Sequence, residues 1–370
     1  MYWTRPTRSP AAFALPDVLV VGAGICGASA AYFLAERGLE VLVLDRAGAS
    51  EGTTGRGEGN VLVSDKLPGV EREMTVLGRE LWRELGQRFP AARVTAKGAL
   101  LLDHPDGDVD DEREPALAPG IRCVHEPGDL QVDPAGLARA MLSALPVRTG
   151  ETVVAADGAS VITASGERLE ARHVIVATGP WGAELTGLPV EPRKGQLVAL
   201  AAPPGLIRHK LIEAADIAAA ASGEAGRMIA SVIEQTLDGD EVLVGSSRER
   251  VGFDDHVSEE VTRAMVARAA RFVPALAELP VRRAWCGFRP WLPDGLPAVG
   301  PLGGGSSAGP GAGSGGGLWT SCGHEGSGVA LGPVSGLLLA QLITGEAPVC
   351  DPAPVDPRRF GGPGIARGDG

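Results

Sequence analysis

Positive charge, aromatic residues and cysteine are all scarce in this chain of 370 residues. Its 34 lysines and arginines face 46 acidic residues, which gives a net charge of −12, and only 4% of its residues are aromatic. A negative field repels phosphate backbones and anionic lipids, so we expect neither nucleic acid nor a membrane surface as a partner. No apolar run approaches the roughly 20 residues that a membrane span needs, and no span is predicted.

The five cysteines are scattered along the chain and lack the C-x-x-C spacing of metal and redox sites. They are Cys26, Cys123, Cys286, Cys322 and Cys350. This pattern indicates free thiols in a reducing cytoplasm, and it predicts no metal site in this chain.

Glycine and proline, by contrast, are abundant, with 53 and 29 residues. The length permits one large domain or two intertwined ones. Residues 1–16 are predicted to be a disordered leader, because their short apolar stretch is broken by Pro10 and Pro16. Residues 303–317 read as a flexible glycine-rich loop between two strands, and residues 351–370 as a C-terminal tail.

The most informative segment runs from Val18 to Asp45. A buried strand leads into Gly22-Ala23-Gly24-Ile25-Cys26-Gly27, a G-x-G-x-x-G turn, and then into a helix, a second strand and the acidic Asp45. In a dinucleotide site, Gly22 permits the tight turn, Gly24 lets a pyrophosphate approach, and Gly27 lets helix and strand pack closely. The helix N-terminus favours phosphate, and Asp45 accepts hydrogen bonds from a ribose. The alternative is an ordinary βαβ unit with a glycine turn.

Periodicity predicts further elements in both halves of the chain. Strands are expected at 98–102, 152–154, 173–177, 196–200, 228–233, 241–244, 298–301 and 318–320. Helices are expected at 72–87, 134–145 and 258–272, and after residue 328 as far as Ile343. The strands at 152–154 and 173–177 are assigned to the first unit. The polar segment around His209, Lys210 and Glu213 is interpreted as a solvated loop rather than the roof of a pocket.

The loop from Gly52 to Asn60 follows the Asp45 strand directly. Its glycines allow close approach, and Thr53, Thr54 and Asn60 offer hydrogen bonds to a pyrophosphate or an isoalloxazine edge. Taken alone it could equally be a surface loop. In this position it is better explained as a second wall of a cofactor tunnel, which favours FAD over NAD.

Arg289 is the leading catalytic candidate. It lies between Phe288 and Pro290, and such apolar neighbours suggest partial burial. A buried guanidinium needs an anionic partner, and its fork matches a carboxylate in bidentate fashion. The alternative is an internal salt bridge. His324 and Glu325 could line the active-site face, although single residues of this kind are more often structural.

Four blocks, in this order, resemble the D-amino-acid oxidase-like family of FAD-dependent amine and amino-acid oxidoreductases. They are the G-x-G-x-x-G turn with Asp45, the segment 52–60, the A-T-G-P-W run at 177–181, and the segments 287–301 and 323–329. The likeness covers about residues 17 to 345. It implies noncovalent FAD, an arginine at position 289 that clamps the substrate carboxylate, and a helix N-terminus after residue 323 aimed at the flavin.

The resemblance implies an α/β fold in which a Rossmann-like FAD-binding domain is assembled from separated segments, with an inserted antiparallel β-sheet (α+β) substrate domain. The FAD-binding domain is expected to comprise residues 17–90, 130–190 and 286–350, and the substrate domain residues 91–129 and 191–285. The residues predicted to contact FAD are Gly22, Gly24, Ile25, Gly27, Asp45, Arg46, Thr53, Thr54, Gly59, Asn60, Val153, Ala177, Thr178, Gly179, Trp181, Gly300, Gly323, Gly326, Ser327, Gly328 and Val329.

The expected reaction is oxidation of a small D-amino or secondary (imino) acid at its C–N bond, by hydride transfer to flavin N5. The G-H-E-G-x-G form of the block at 323–328 is similar to flavin subunits of hydrogen cyanide synthase, opine oxidase and D-hydroxyproline dehydrogenase. That likeness implies an iron–sulfur or second flavin subunit as a possible electron acceptor. Two alternatives stay open from the sequence: a nicotinamide-dependent dehydrogenase, and a non-catalytic flavin subunit of a larger assembly.

Overall fold

The structure, a computed structural model, describes residues 15–109, 112–221, 226–303 and 316–361. Most of the predicted leader and glycine-rich loop, and the end of the predicted tail, lie outside these residues. The strands are β1 (Val18–Val21), β2 (Val41–Asp45), β3 (Asn60–Val61), β4 (Ala99–Leu102), β5 (Asp108–Val109), β6 (Arg122–Glu126), β7 (Leu130–Gln131), β8 (Val147–Thr149), β9 (Val153–Ala156), β10 (Ser160–Thr163), β11 (Arg168–Glu170), β12 (His173–Val176), β13 (Glu191–Ala201), β14 (Lys210–Glu213), β15 (Met228–Gln235), β16 (Glu241–Arg248), β17 (Val281–Trp291), β18 (Ala298–Gly303) and β19 (Gly317–Cys322). The helices are α1 (Ile25–Glu36), α2 (Val70–Arg88), α3 (Pro134–Leu142), α4 (Ala183–Thr186), α5 (Ala214–Ala221), α6 (Glu259–Ala269) and α7 (Gly328–Thr344).

A six-stranded sheet in the order β18-β19-β12-β1-β2-β8 carries the G-x-G-x-x-G turn. Its strands are parallel except for the β18–β19 pair. Val18 and Val20 of β1 pack with α1, α2, α3 and α7 on one face. Leu19 and Val21 pack on the other face against the small sheet of β9, β10 and β11. Burial on both faces explains the unbroken apolar run of β1.

The predicted strand at 152–154 is present as β9, but it belongs to this small antiparallel sheet and not to the six-stranded one. The strand that extends the six-stranded sheet beyond β2 is instead β8. The sequence pattern predicted the strand correctly but not the sheet that it joins, because the neighbouring strand is chosen by contacts with residues distant in sequence.

An eight-stranded sheet in the order β17-β13-β16-β15-β14-β4-β6-β5 forms the second layer. It is antiparallel apart from the β14–β4 pair. Helix α6 packs Val261 and Met265 against it, and its N-terminus is capped by the hydroxyl of Ser258, which accepts from the Val261 amide. The predicted domain boundary at residue 286 falls inside β17, which pairs with β13 without interruption from Arg283 to Trp291.

Helix α7, together with the 3₁₀ turn before it, spans Glu325–Thr344, and this 20-residue segment is long and apolar enough to cross a membrane. The sequence expectation that no apolar run approaches that length was therefore wrong. Within the fold the segment serves as a core helix, because it packs against α1 and α2 and 61% of its apolar window is buried. Gly336 permits this contact, since a Cβ there would lie 2.5 Å from Cβ of Ser29 in α1.

Residues 351–361 of the predicted tail pack against the six-stranded sheet. Two short 3₁₀ helices, Ala353–Val355 and Pro357–Phe360, follow α7. Val355 is fully buried, and Arg359 Nε lies 2.6 Å from an oxygen of Asp294.

Candidate active site

A cavity of about 770 Å³ lies where the carboxyl ends of β1, β2 and β12 meet β13, β16 and β17 of the larger sheet. Its lining brings together sequence blocks that are separated by up to 300 residues. All the predicted catalytic residues line it, as do most residues predicted to contact FAD: Arg289, His324, Glu325, Gly22, Gly24, Ile25, Asp45, Arg46, Thr53, Thr54, Gly59, Asn60, Val153, Ala177, Thr178, Gly179, Trp181, Gly326, Ser327, Gly328 and Val329.

Three predicted glycines, Gly27, Gly300 and Gly323, lie outside the lining. A Cβ on Gly27 would lie 1.9 Å from the carbonyl oxygen of Gly22, so this glycine permits helix and turn to touch. Gly323 has φ +75°, and a Cβ there would lie 2.1 Å from a methyl carbon of Leu292. Gly300 has φ +146° and packs against Pro357. All three meet backbone requirements of the fold.

The first turn forms a cradle of bare backbone. Gly22 has φ +110°, and a Cβ there would lie 2.4 Å from the carbonyl oxygen of Ala177. The amide of Ile25, at the start of α1, donates to Thr54 Oγ1 at 3.0 Å. The G-x-G-x-x-G turn, the 52–60 loop and the 177–181 turn are thus in mutual contact, and only glycine fits where they cross.

Asp45 links the two ends of this cradle. One carboxylate oxygen accepts from the amide of Ala23 at 2.7 Å, and the other accepts from the amides of Ala47 and Gly48 at 2.8 and 3.0 Å. A carboxylate has about four acceptor positions, so Asp45 keeps capacity for a ribose hydroxyl.

An aromatic cluster lines the same side of the cavity. The guanidinium of Arg46 lies 3.8 Å from the ring centre of Trp181, which stacks on Phe253 at 5.4 Å with an interplanar angle of 10°. Phe253 in turn contacts Phe288 edge-on at 5.3 Å. Phe253 is 47% exposed and was not predicted from the sequence, since it lies in a loop without a motif.

Three arginines and one glutamate form a cluster that we call the charged end of the cavity: Arg248, Arg289 and Glu325 line the cavity, and Arg193 does not. Arg193, Arg248 and Arg289 lie on the adjacent strands β13, β16 and β17, and Arg193 pairs in register with Arg289. An oxygen of Glu325 lies 3.5 Å from Arg193 Nη1 and 3.5 Å from Arg248 Nε. Burial opposes ionisation of Glu325, but the fields of Arg248, Arg289 and Arg193 outweigh it and lower the pKa of this carboxyl.

Arg289 itself is held by the backbone. Its Nη1 donates to the carbonyl oxygen of Ser247 at 3.0 Å, and Gly195 leaves room for the guanidinium, because a Cβ there would lie 2.0 Å from that nitrogen. Burial, reinforced by Arg248, lowers the pKa of Arg289 to about 10, so the group stays charged at neutral pH. A charged, oriented guanidinium facing a cavity is suited to bind a carboxylate.

A buried ion network lies beneath this end. Lys210 is almost fully buried in β14, where its ammonium donates to Glu58 and, at 3.0 Å, to Glu234. Burial lowers the pKa of Lys210, but the two carboxylates outweigh burial and raise it. Lys97 lies 3.7 Å from Glu234 and completes the network. The interpretation of residues 209–213 as a solvated loop was therefore wrong, because Lys210 is a strand residue neutralised by acids distant in sequence.

His324 lies between the first and last helices. Its Nε2 is 3.0 Å from Ser335 Oγ of α7, and its Nδ1 is 3.7 Å from the thiol of Cys26 in α1. Burial lowers the pKa of His324 to about 4 and raises the pKa of Cys26 to about 12. Both groups are therefore neutral at physiological pH.

The cavity fits a cofactor of the kind the sequence implies. Among the described residues, four buried oxygens that face it have no hydrogen-bond partner within the protein: Ser50 Oγ, Asn60 Oδ1, Thr178 Oγ1 and Ser321 Oγ. Buried polar atoms are normally satisfied, so these atoms indicate a polar ligand. Backbone lined with glycines, together with three unpaired hydroxyls and one unpaired amide oxygen, suits the pyrophosphate and polar ring edges of FAD. In the part of the chain that the structure describes, no three His, Cys, Asp or Glu side chains gather as a metal site.

Sequence reasoning missed several residues of the charged end. Glu58 lay inside the segment 52–60 that was singled out, so its carboxylate was a signal that went unused. Arg193 was not among the predicted site residues. Arg248 carried no signal at all, because it follows Ser246 and Ser247 without any motif, and only the folded sheet brings it to Arg289.

Comparison with known proteins agrees with this geometry. The family described as FAD dependent oxidoreductase (DAO) matches residues 17–342. Glycine oxidase from Pseudomonas aeruginosa is 30% identical over 390 residues, which covers 92% of this chain and 98% of that protein. The hydrogen cyanide synthase subunit HcnC of Pseudomonas aeruginosa is 30% identical over 306 residues, 80% of this chain and 62% of that one.

The fold gives the same result. The crystal structure of glycine oxidase from Geobacillus kaustophilus superimposes with a TM-score of 0.77 at 24% identity, covering 96% of this chain and 99% of that one. The resemblance first drawn from four short blocks is thus confirmed over nearly the whole length, and the nicotinamide alternative falls away. The chain belongs to the family of FAD-dependent oxidoreductases, and its cofactor is FAD.

Proposed function

We propose that this protein oxidises a small D-amino or secondary (imino) acid at its C–N bond. The observation that carries the proposal is Arg289, a charged and backbone-anchored guanidinium that lines the cofactor cavity. Curated relatives named glycine oxidase support an amino acid as the substrate. FAD supplies the two-electron acceptor: a hydride and a proton leave the amine, and a C=N bond forms.

The residues of this chain would share the work as follows. Gly22, Gly24 and the start of α1 would hold the pyrophosphate, and Asp45 the ribose. The remaining predicted contacts, from the 52–60 and 177–181 turns and from residues 326–329, would surround the ring system. Arg289 would fix the substrate carboxylate and so orient the α-carbon. Positioning and a fixed electrostatic field would supply most of the rate.

His324 and Glu325 would act as positioning residues. His324 is neutral, buried and hydrogen-bonded to Ser335. These properties suit a structural contact between α1 and α7 better than proton transfer. Glu325 is an ion-pair partner of Arg193 and Arg248, with its own backbone at φ 44°. Its role would be to fix the guanidiniums before substrate arrives.

The proposal is tested by anaerobic bleaching of the bound flavin with a panel of glycine, sarcosine, D-proline, hydroxyprolines and opines. We expect bleaching by at least one of them. The Arg289→Met variant should retain FAD and lose about 100-fold or more in kcat/KM, since a charge-assisted bidentate contact is removed. A flavin that no amino acid bleaches would overturn the proposal and favour a non-catalytic flavin subunit.

A partner that takes up the electrons is a second proposal, favoured by the HcnC subunit among the relatives. An iron–sulfur or second flavin subunit would fill that role, and the five free cysteines are compatible with a reducing cytoplasm as the location. Reoxidation of the bleached enzyme should then be slow with O₂ and fast with an artificial dye. Fast reoxidation by O₂ alone would instead identify an oxidase.

A further inference from the structure

Two guanidiniums, those of Arg248 and Arg289, line the charged end of the cavity, and one substrate carboxylate is needed for only one of them. The groups whose charges act most on Arg289 are Arg248, Glu325, Glu58 and Arg193. Glu58 is neutralised by Lys210, within a network of two lysines and two glutamates. The carboxylate of Glu325 contacts Arg193 and Arg248 and feels the charge of Arg289.

Other nearby charges do not change this balance. Lys66 lines the cavity and feels the field of Glu325, but its ammonium lies 2.6 Å from Asp65. Arg250, two residues beyond Arg248, stacks over Trp291 at 3.9 Å and does not line the cavity. The charge of Arg248 also acts on the buried Asp216, but Asp216 pairs with Arg268 and does not line the cavity. Among the ion pairs of the described residues, Glu325 is the only acid that contacts Arg248 or Arg289.

Two of the guanidiniums converge on one spot. A methyl group placed on Gly326 would lie 3.9 Å from Cδ of Arg289 and 4.0 Å from Nη2 of Arg248, so both side chains meet over this bare backbone. Arg193, by contrast, is almost fully buried, does not line the cavity and has Glu325 beside it. Arg193 and Arg248 thus share the carboxylate of Glu325, and of the three arginines only Arg248 and Arg289 line the space that a ligand could occupy.

Arg248 also has unused hydrogen-bonding capacity. Its buried Nε has no hydrogen-bond partner among the described residues, and the oxygen of Glu325 at 3.5 Å is an ion-pair contact only. A buried donor without an acceptor costs free energy, and an incoming carboxylate would recover it. Two like charges at such close range also repel until an anion separates them.

We infer that the substrate is an amino or imino acid with two carboxylates, one held by Arg289 and the other by Arg248. This inference rests on the proposed function and narrows it to a substrate class. A substrate with one carboxylate leaves one guanidinium uncompensated in a half-buried site, whereas a dicarboxylate balances both. The arrangement selects by charge and rejects neutral side chains by leaving Arg248 unpaired.

The test uses substrates that differ by one carboxylate: sarcosine against iminodiacetate, and D-alanine against D-aspartate. In anaerobic flavin reduction by the wild-type protein, we expect the dicarboxylate of at least one pair to have kcat/KM higher by roughly 10- to 100-fold. If kcat/KM for flavin reduction is equal within both pairs, or higher for the monocarboxylate, this inference is overturned and the proposed function still stands. Reduction by no amino acid overturns both.

Variants locate the effect. Arg248→Met should bring the ratio of the two rates close to one, and Arg248→Lys should retain part of it. The matched control is Arg263→Met on α6, whose side chain is 73% exposed and pairs only with Glu259, so the ratio should not change. A ratio unaffected by Arg248→Met would contradict the role given to that residue.

A binding measurement is independent of turnover. Succinate should raise the melting temperature of the FAD-loaded protein more than butyrate at equal ionic strength, because only succinate engages both guanidiniums. The difference should vanish in Arg248→Met. If that variant does not fold, the comparison of the two acids on the wild-type protein decides the point, and equal shifts count against the inference.

Discussion

The two ends of the cavity are built from different materials. The cofactor end is backbone: glycines at the crossing of three turns, a helix N-terminus and one carboxylate tied to amides. The charged end, where we propose that substrate binds, consists of side chains: Arg248, Arg289 and Glu325, with Arg193 and a buried lysine network beside them. The cofactor end depends on shape, and no side-chain atom can be added at its glycines. The charged end depends on charge, so single substitutions can change its binding properties.

The largest expected effect is at the backbone end. Gly22→Val places a branched side chain where even Cβ would lie 2.4 Å from the carbonyl oxygen of Ala177, at φ +110°. We expect loss of bound FAD and a fall in the free energy of unfolding of about 3 kcal/mol or more, from overpacking plus left-handed strain. The flavin-to-protein absorbance ratio and urea unfolding measure both.

Gly38→Val is the matched control for that experiment. Gly38 has φ +83° and nothing within 4 Å of its would-be Cβ, so the variant carries the backbone strain without the collision. It should bind FAD normally and be destabilised only modestly. Equal loss of FAD in both variants would show that close approach at Gly22 is not what matters.

The next largest effect is at the charged end. Lys210→Met leaves Glu58 and Glu234 facing each other without their shared cation, and breaking a buried pair in this way costs about 3–5 kcal/mol. Urea unfolding should show this loss. The double variant Lys210→Met with Glu234→Gln should recover a large part of it, and no recovery would mean that packing rather than charge makes Lys210 necessary.

A smaller effect comes from the one buried histidine between α1 and α7. The pKa of His324 is about 4 in the folded protein against 6.5 as the ordinary value, because burial disfavours the charged ring. The contribution of His324 to the free energy of unfolding is therefore fully present above pH 6.5. It falls by about 3 kcal/mol as the pH decreases towards 4, because the unfolded chain takes up the proton there and the folded protein does not.

His324→Gln removes that titration while keeping a polar group near Ser335. The difference in unfolding free energy between wild type and variant should be constant above pH 6.5 and shift in favour of the variant below it. A difference that stays the same from pH 7 to pH 4.5 would show that the ring is not held in its neutral form.

The comparison of the two ends also explains what could be predicted from the sequence. The cofactor end is encoded locally, because Gly22, Gly24 and Gly27 stand at fixed spacing between a strand and a helix. The strand β1 and the cap of α6 at Ser258 follow from equally local patterns. The 52–60 loop and the 177–181 turn were recognisable because short blocks mark them.

The substrate end could not be predicted in the same way. Strand β17 starts with three exposed residues, Val281, Arg282 and Arg283, and contains Pro290, so its sequence pattern does not predict a strand of eleven residues. Arg248 comes to Arg289 only through the order β17-β13-β16, which depends on contacts between residues about 40 to 100 positions apart. Long-range pairing of this kind leaves no signature in a single sequence.

Strands β13, β16 and β17 carry all three arginines side by side in one sheet, while the glycine cradle belongs to another. The proposed carboxylate-binding site is therefore carried by one sheet, and the glycine turn that would hold the coenzyme by the other. Under the proposed function, replacing Arg248 on the larger sheet would change which acid is accepted while the glycine turn stays as it is. With such a division, related enzymes can acquire a new substrate specificity through substitutions in a single sheet.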